Sequence, residues 1–383
     1  MDKPTVQDIF HRFYPAYLDQ YSPSPVQAKV AHNIMNCKTG AYGANVCVCE
    51  DCGFVQIHYN SCRNRCCPMC QAVPKEMWMD ARREDVLDAP YFHLVFTVPD
   101  ILNPVIYSNQ RLLYDALYHA ASSTISELTA DPKHLGAKVG YICILHTWGS
   151  EMNFHPHIHT ILLGGGLASN NQWKDNGENF FLPIRVISKM FRGKYLEELK
   201  RLWEEDKLVF HSTAEKFRNH YTFKELLDSC YGMDWIPHCK KTFNGAQTVI
   251  KYLGKYTHRI AVSNHRIVRM DDDTVTFLVK DYRNEGQWKE LTISGVEFVR
   301  RFLMHVPPRR FVRIRHYGLL CSRTKSQKLT LCRNLLGCKK YLSKLRDMEM
   351  PEILEHLYGI KVCVCKACGG HLGKPQMRMP LRC

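Results

Sequence analysis

The residues best equipped for chemistry in this chain are His155, His157 and His159, set two apart in His155-Pro156-His157-Ile158-His159. Apolar residues on both sides, and the run Gly164-Gly165-Gly166, read as a buried strand that stops at a turn. Side chains alternate along a strand, so the three imidazoles project from one face. Burying them side by side is costly without a shared partner. A divalent metal is the obvious one, because neutral imidazole is a common ligand. Part-exposed histidines on a sheet edge are the plainer alternative.

A second constellation lies in Val249-Ile250-Lys251-Tyr252-Leu253-Gly254-Lys255-Tyr256-Thr257-His258-Arg259. Asn244 with Gln247 three positions on forms a capping-box start for a helix. On that helix Tyr252 and Tyr256 are an i,i+4 pair, stacked a turn apart. At ~100° per residue, Lys255 and Arg259 fall within ~60° of Tyr252, so the tyrosine face is also cationic. Two phenols beside two permanent cations suit attack on a phosphodiester. The cations stabilise phenolate and phosphate charge, and a phenolate that displaces a sugar oxygen gives a covalent phosphotyrosine. Such tyrosine pairs also occur as plain core or interface residues.

The elements that must position these groups follow a coarse pattern. Residues 5–35 read as helical, followed by a cysteine module to about residue 73 and a charged helix from Pro74. Strands are expected at 91–98, 139–148 and 155–163, with a helix around 104–128 between the first two. Antiparallel pairing across the short Gly149–Phe154 loop would bring His146 near His157, which makes His146 a candidate third ligand. Amphipathic helices near 187–206 and 213–229 precede the tyrosine helix, and strands return around 258–268, 274–280 and 288–294. Asp271-Asp272-Asp273 reads as a turn.

Eight cysteines crowd into residues 37–70. Cys49-x2-Cys52 and Cys67-x2-Cys70 form two knuckles at a spacing suited to one tetrahedral structural Zn2+. Cys37, Cys62 and Cys66 offer a second site, with Cys47 or His58 as fourth ligand. Arg63 and Arg65 stand beside the second knuckle as candidate phosphate contacts. Near the other end, Cys363, Cys365 and Cys368 look like half of a zinc ribbon, with Cys383, Cys321, Cys332 and Cys338 as candidates for the rest. Arg313 and Arg315, interleaved with Phe311, Ile314 and Tyr317, predict a strand with a cationic outer face for a nucleic-acid backbone.

Taken together, these pieces resemble the two-tyrosine HUH transposases of the insertion sequence 91 group. The resemblance rests on Tyr91–Thr97, Leu145–Gly149, the HPHIH strand with its glycines, YLGKYTHRIAVSNHR at 252–266, Lys280–Arg283 and Arg313–Gly318. It also takes in Ser61–Arg65 with Cys67–Gln71, which look like the family's zinc-binding segment, and it spans nearly the whole chain in order. Position 66 departs from the family pattern, with Cys where His is expected. The resemblance implies rolling-circle movement of DNA, with single-stranded element ends and target as substrate. Mg2+ or Mn2+ would sit on His157 and His159 beside the tyrosines, and oligomers would be open to the protein.

The fold class expected is α+β: a cysteine-rich zinc module over 1–75, an HUH-type catalytic domain over 76–305 and a basic C-terminal region over 306–383. The catalytic domain would have a central antiparallel sheet, flanking helices and a helical insertion at 166–243. Composition is consistent. The net charge of +15 and pI of about 9.0 suit a polyanionic partner. No secretory signal or membrane-spanning run is visible. Clustered cysteines in a chain of this size favour metal in a reducing compartment, and the resemblance implies the bacterial cytoplasm, with nucleoid association when DNA is bound. A plasmid replication initiator or relaxase would use the same chemistry, whereas a non-enzymatic zinc protein would need neither the histidine strand nor the tyrosines.

Overall fold

Helix α1 (Val6–Leu18) starts from a capping box between Thr5 and Asp8, and α2 (Pro25–Met35) from one between Ser24 and Gln27. The computed structural model describes residues 3–175, 182–235, 237–243, 254, 260–281 and 285–378. Tyr252, Lys255, Tyr256, Arg259 and the Asn244–Gln247 cap lie outside the described residues. A hairpin of β1 (Ala44–Val48) and β2 (Val55–Tyr59) follows, then α3 (Ala72–Arg83). Next come β3 (Tyr91–Thr97), α4 (Asn103–Ser108), α5 (Gln110–Ala130), β4 (Lys138–Trp148) and β5 (Phe154–Leu167). They lead to β6 (Trp173–Asp175), α6 (Ile184–Glu204), α7 (His220–Gly232) and β7 (His238–Phe243). A meander of β8 (Ile267–Met270), β9 (Thr274–Asp281) and β10 (Gln287–Ser294) runs into α8 (Gly295–Met304). The remaining elements are β11 (Ile314–Gly318), α9 (Lys325–Leu336), α10 (Met350–Tyr358) and β12 (Gln376–Arg378).

The chain is thus a mix of helices and antiparallel sheets. The central sheet has the order β11-β4-β5-β3-β7, with β6 added to β5. Period-two alternation divides its side chains between two covered faces. Tyr141, Cys143, Ile158 and Leu162 meet the apolar stripes of α5, α6 and α7. On the other face Ile142, Ile144, Ile161 and Leu163 meet Met79 of α3 and Leu329 of α9. His157 and His159 share this second face, beyond the edge of its apolar cover.

The ends of the chain are not separate units. α1 and α2 pack on α8 and the β8–β10 meander in one core, with the rings of Phe10 and Phe302 5.2 Å apart. β11 belongs to the central sheet, while β12 pairs with β1, Val46 opposite Gln376. The expected divisions at residues 75 and 305 therefore cut through shared cores. The expected insertion also shrinks, because β6 and β7 are parts of the central sheet.

Several element boundaries differ from expectation. β5 runs through the three glycines that read as its end. They serve close approach instead: a Cβ on Gly164 would stand 2.9 Å from the Pro90 carbonyl, and one on Gly166 2.5 Å from that of Lys138. The helix expected at 104–128 breaks in two at Asn109. The described part of the strand expected at 258–268 begins only at Ile267. Asp271 does form a turn, accepting from the Thr274 N–H at 2.8 Å. No helix among the described residues is long and apolar enough to cross a membrane.

Buried His305 and half-buried His316 make stability depend on pH. His305 Nε2 lies 2.9 Å from the Met152 carbonyl, which can only accept, and Nδ1 lies 3.2 Å from Thr147 Oγ1. Nε2 therefore carries a hydrogen, and protonating Nδ1 as well would place a charge at a buried site. Burial pushes the pKa of His305 from the ordinary 6.5 down to about 4, and does the same to His316. The unfolded chain binds more protons between those values, so the contribution is complete above pH ~6.5 and is lost as pH falls towards ~4. His305 alone contributes on the order of 3 kcal/mol. Tm should fall steadily from pH 6.5 to 4.5, and His305→Gln should flatten part of that slope. A constant Tm over this range would contradict the assignment.

Candidate functional site

The histidine hairpin is held from outside at three successive carbonyls. Ser150 O accepts from Arg266 Nη2 at 2.6 Å, Glu151 O from Arg301 Nη1 at 2.9 Å, and Met152 O from His305. The turn so fixed sets the register of β4 against β5, placing His146 opposite His157. The coordinating nitrogens of His146, His157 and His159 lie within 4.8 Å of one another, and all three residues are buried. His155 shares their face but not their cluster. Its Nδ1 lies 3.2 Å from Asp100 Oδ1, half-exposed.

Hydrogen bonds decide what these rings can do. His157 Nδ1 is 2.6 Å from the His155 carbonyl, so Nδ1 carries the hydrogen and Nε2 keeps its lone pair. That Nε2 lies 3.0 Å from His159 Nε2. Burial pushes the pKa of His157 down to about 4. Burial, with the adjacent His146 and His157 rings, holds His159 well below the usual value. Both rings are neutral at pH 7, the form that binds a cation. With His146 beside them, three buried imidazoles converging on one point fit a divalent ion.

His93, on the neighbouring strand β3, was not singled out from the sequence as a site residue. Its Nε2 is 2.9 Å from His159 Nδ1, and the two rings stack 5.1 Å apart. The available signal was a lone polar residue in the apolar run Tyr91-Phe92-His93-Leu94-Val95-Phe96. A partner on the second nitrogen fixes a ligand's orientation and basicity. His93→Ala should weaken Mn2+ binding about 10–100-fold by titration calorimetry, with partial recovery in His93→Gln. Unchanged affinity would remove His93 from the site as a positioning residue.

A cleft of about 560 Å³ opens on the cluster, lined also by Thr97, His265, Arg266, Lys280 and Trp288. Trp288 is 54% exposed, with Lys280 Nζ 5.4 Å and the Arg266 guanidinium 5.7 Å from its ring centre. His265 also lines an adjoining groove of about 270 Å³ that contains Gly254. A Cβ on Gly254 would overlap the Met79 sulfur of α3, so a larger residue there would have to push the Met79 side chain aside. Gly254 is the described residue between the two tyrosines in sequence.

The cysteines group differently from their spacing. Cys37, Cys62, Cys67 and Cys70 converge in one cluster, and Cys49 and Cys52 meet Cys365 and Cys368 in another. The single site expected from Cys49, Cys52, Cys67 and Cys70 is not formed, because the β1–β2 hairpin carries the first knuckle away from the second. Cys66 is no member of either cluster. It is buried, and burial pushes its thiol up to about 11 against the pull of the nearby Arg313 and Arg65. Cys47 and His58 do not join either. Cys62 Sγ and Cys70 Sγ are 3.8 Å apart, and a tetrahedron with Zn–S bonds of ~2.3 Å has edges of ~3.8 Å. The first cluster therefore fits structural Zn2+.

The arginines read as an outward cationic face turn inward. Arg313 is buried, its guanidinium 5.3 Å from the Trp148 ring centre. Arg315 pairs with Asp115 and lies 4.0 Å from the Tyr118 ring centre. Arg65 donates to the Phe311 and Pro308 carbonyls, while Arg63 is exposed. Sequence alternation could not anticipate Asp115 on α5. Among the described residues, cations without an ion-pair partner gather at the far end of β4. Lys138, Lys174 and Lys328 line one cleft there, and Arg323 joins Lys138 and Lys328 in a second.

Comparison with known proteins adds two family matches. A model described as "Transposase zinc-binding domain" matches residues 9–98, and one described as "Putative transposase" matches residues 140–328. The chain is similar to "Putative transposase y4qJ" of Sinorhizobium fredii, at 40% identity over 95% of this chain and 93% of that one. It is 30% identical to the transposase for insertion sequence element IS801 of Pseudomonas savastanoi pv. phaseolicola, over 79% of this chain and 72% of the relative. Among solved structures, a conjugative relaxase TrwC in complex with oriT DNA aligns at 13% identity, over 67% of this chain and 96% of that one. Its TM-score is 0.26, too low to bear on the fold.

Proposed function

Since the chain belongs to the insertion sequence 91 group of transposases, a family of DNA-processing enzymes, we propose that it cuts and rejoins single-stranded DNA through phosphotyrosine. The observation that carries this reading is the cluster of buried imidazoles of His146, His157 and His159. Mg2+ or Mn2+ held there would polarise the scissile phosphate and orient it for in-line attack. Tyr252 or Tyr256 supplies the nucleophile. The phenolate oxygen bonds to phosphorus as the bond to O3′ breaks, and O3′ leaves as a hydroxyl once protonated. The 5′-phosphate remains as an aryl ester on the tyrosine. In the reverse step a 3′-hydroxyl attacks that ester and the phenol leaves, so rejoining needs no ATP.

Two tyrosines let donor and target strands be held covalently together, which a single nucleophile could not do. The position of Gly254 supports the pairing of tyrosines with histidines. It lies against Met79, which packs on the histidine face of the central sheet, in a groove sharing His265 with the histidine cleft. Lys255 and Arg259 would offset charge on phenolate and phosphate. Trp288, flanked by two cations, offers an unpaired base a ring to stack on, and Lys138, Lys174, Lys328 and Arg323 a track for the backbone.

The direct test is incubation with single-stranded oligonucleotides from the element's ends and Mg2+ or Mn2+. A denaturant-stable protein–DNA adduct and a fragment with a free 3′-hydroxyl are expected. Binding without any cleavage of such substrates would instead support a non-enzymatic zinc protein. Cleavage confined to a plasmid origin would point to a replication initiator or relaxase.

A further inference from the structure

We propose that Cys49, Cys52, Cys365 and Cys368 hold a Zn2+ of their own, which ties the C-terminal strand to the N-terminal hairpin. The family match to a zinc-binding domain stops at residue 98, so half of this ligand set lies outside it. The four sulfurs lie within 4.8 Å of one another. Cys49 Sγ is 3.5 Å from Cys368 Sγ, and Cys52 Sγ is 3.8 Å from Cys365 Sγ. Both distances are far beyond a disulfide's ~2.05 Å and near the ~3.8 Å edge of a tetrathiolate zinc tetrahedron.

The two halves are copies of one device, Cys-x-x-Cys-Gly. Gly53 N–H donates to Cys49 O and Gly369 N–H to Cys365 O, each at 3.0 Å. The two glycines have φ of 71° and 77°, a conformation that other residues rarely adopt. In the C-terminal knuckle, backbone N–H groups of Ala367 and Gly370 point at the sulfurs of Cys365 and Cys368, each at 3.4 Å. Such donors stabilise thiolates. Among the described residues the apolar interior here is Cys47, Cys49, Cys365 and Leu372, and β12 pairs with β1 over three residues. So small a core cannot hold segments this distant in sequence together, which leaves the work to a metal.

Elemental analysis of the full-length protein tests this. Cys365→Ser and Cys368→Ser should each bind one zinc fewer per chain than wild type. Cys67→Ser should lose a different one, and Cys363→Ser none. Undiminished zinc in folded Cys365→Ser would overturn the proposal. A second measurement needs no variant. Cys52, Cys321, Cys363 and Cys368 are all exposed, yet Cys52 and Cys368 should resist alkylation until a strong chelator is added, while Cys321 and Cys363 react at once. Equal reactivity of all four in the zinc-loaded protein would also overturn it.

Discussion

Protein carrying both Tyr252→Phe and Tyr256→Phe forms no denaturant-stable adduct with single-stranded DNA, and each single substitution alone blocks transposition. This is the largest effect expected. Phenylalanine keeps the ring and its packing but removes the one oxygen that can carry the phosphate, so the loss is total and not graded. The single mutants separate two steps. If donor and target strands must be held at once, one remaining phenol still gives an adduct with an isolated oligonucleotide yet fails to complete transfer. Gel electrophoresis of the adduct and an in vivo transposition count measure the two separately. An adduct formed by the double mutant would place the nucleophile elsewhere.

His157→Ala or His159→Ala should abolish cleavage while leaving oligonucleotide binding nearly intact. Backbone charge is met by Lys and Arg, whose contributions these changes do not touch. Excess chelator should reproduce the loss in the unmutated protein, and Mg2+ or Mn2+ should reverse it. Each substitution also removes a buried hydrogen bond, to the His155 carbonyl or to His93, at a cost of about 1–3 kcal/mol. Tm should therefore drop modestly and cleavage completely. Cleavage that survives in a chelated, folded sample would sink the metal assignment.

The histidine strand was legible because period-two alternation has no second solution for His155, His157 and His159. A loop as short as Gly149–Phe154 likewise leaves His146 little choice but to stand opposite His157. What stayed hidden depends on partners distant in sequence. A Cys-x-x-Cys knuckle says how it holds two bonds of a metal, not which other knuckle supplies the rest. Cys49 and Cys52 accordingly looked like partners of Cys67 and Cys70. The glycines at 164–166 looked like a stop, since the crowding they relieve comes from Pro90, Trp173 and Lys138. Arg315 looked solvated because Asp115 sits two hundred positions away. Tyr252, Lys255, Tyr256 and Arg259 rest on sequence alone.

The pairing of β12 with β1 also bears on the order in which the molecule is made. Cys49 leaves the ribosome 319 residues ahead of Cys368. By then the histidine hairpin, its His93 brace and the tyrosine segment have all been synthesised and are free to fold. Throughout that interval the β1–β2 hairpin has an open edge and half a set of thiols. A chain interrupted before Cys365 would carry every group proposed for cleavage, but would leave that edge bare for aggregation or proteolysis. Closing of that edge by β12 thus waits on the segment that carries Cys365 and Cys368.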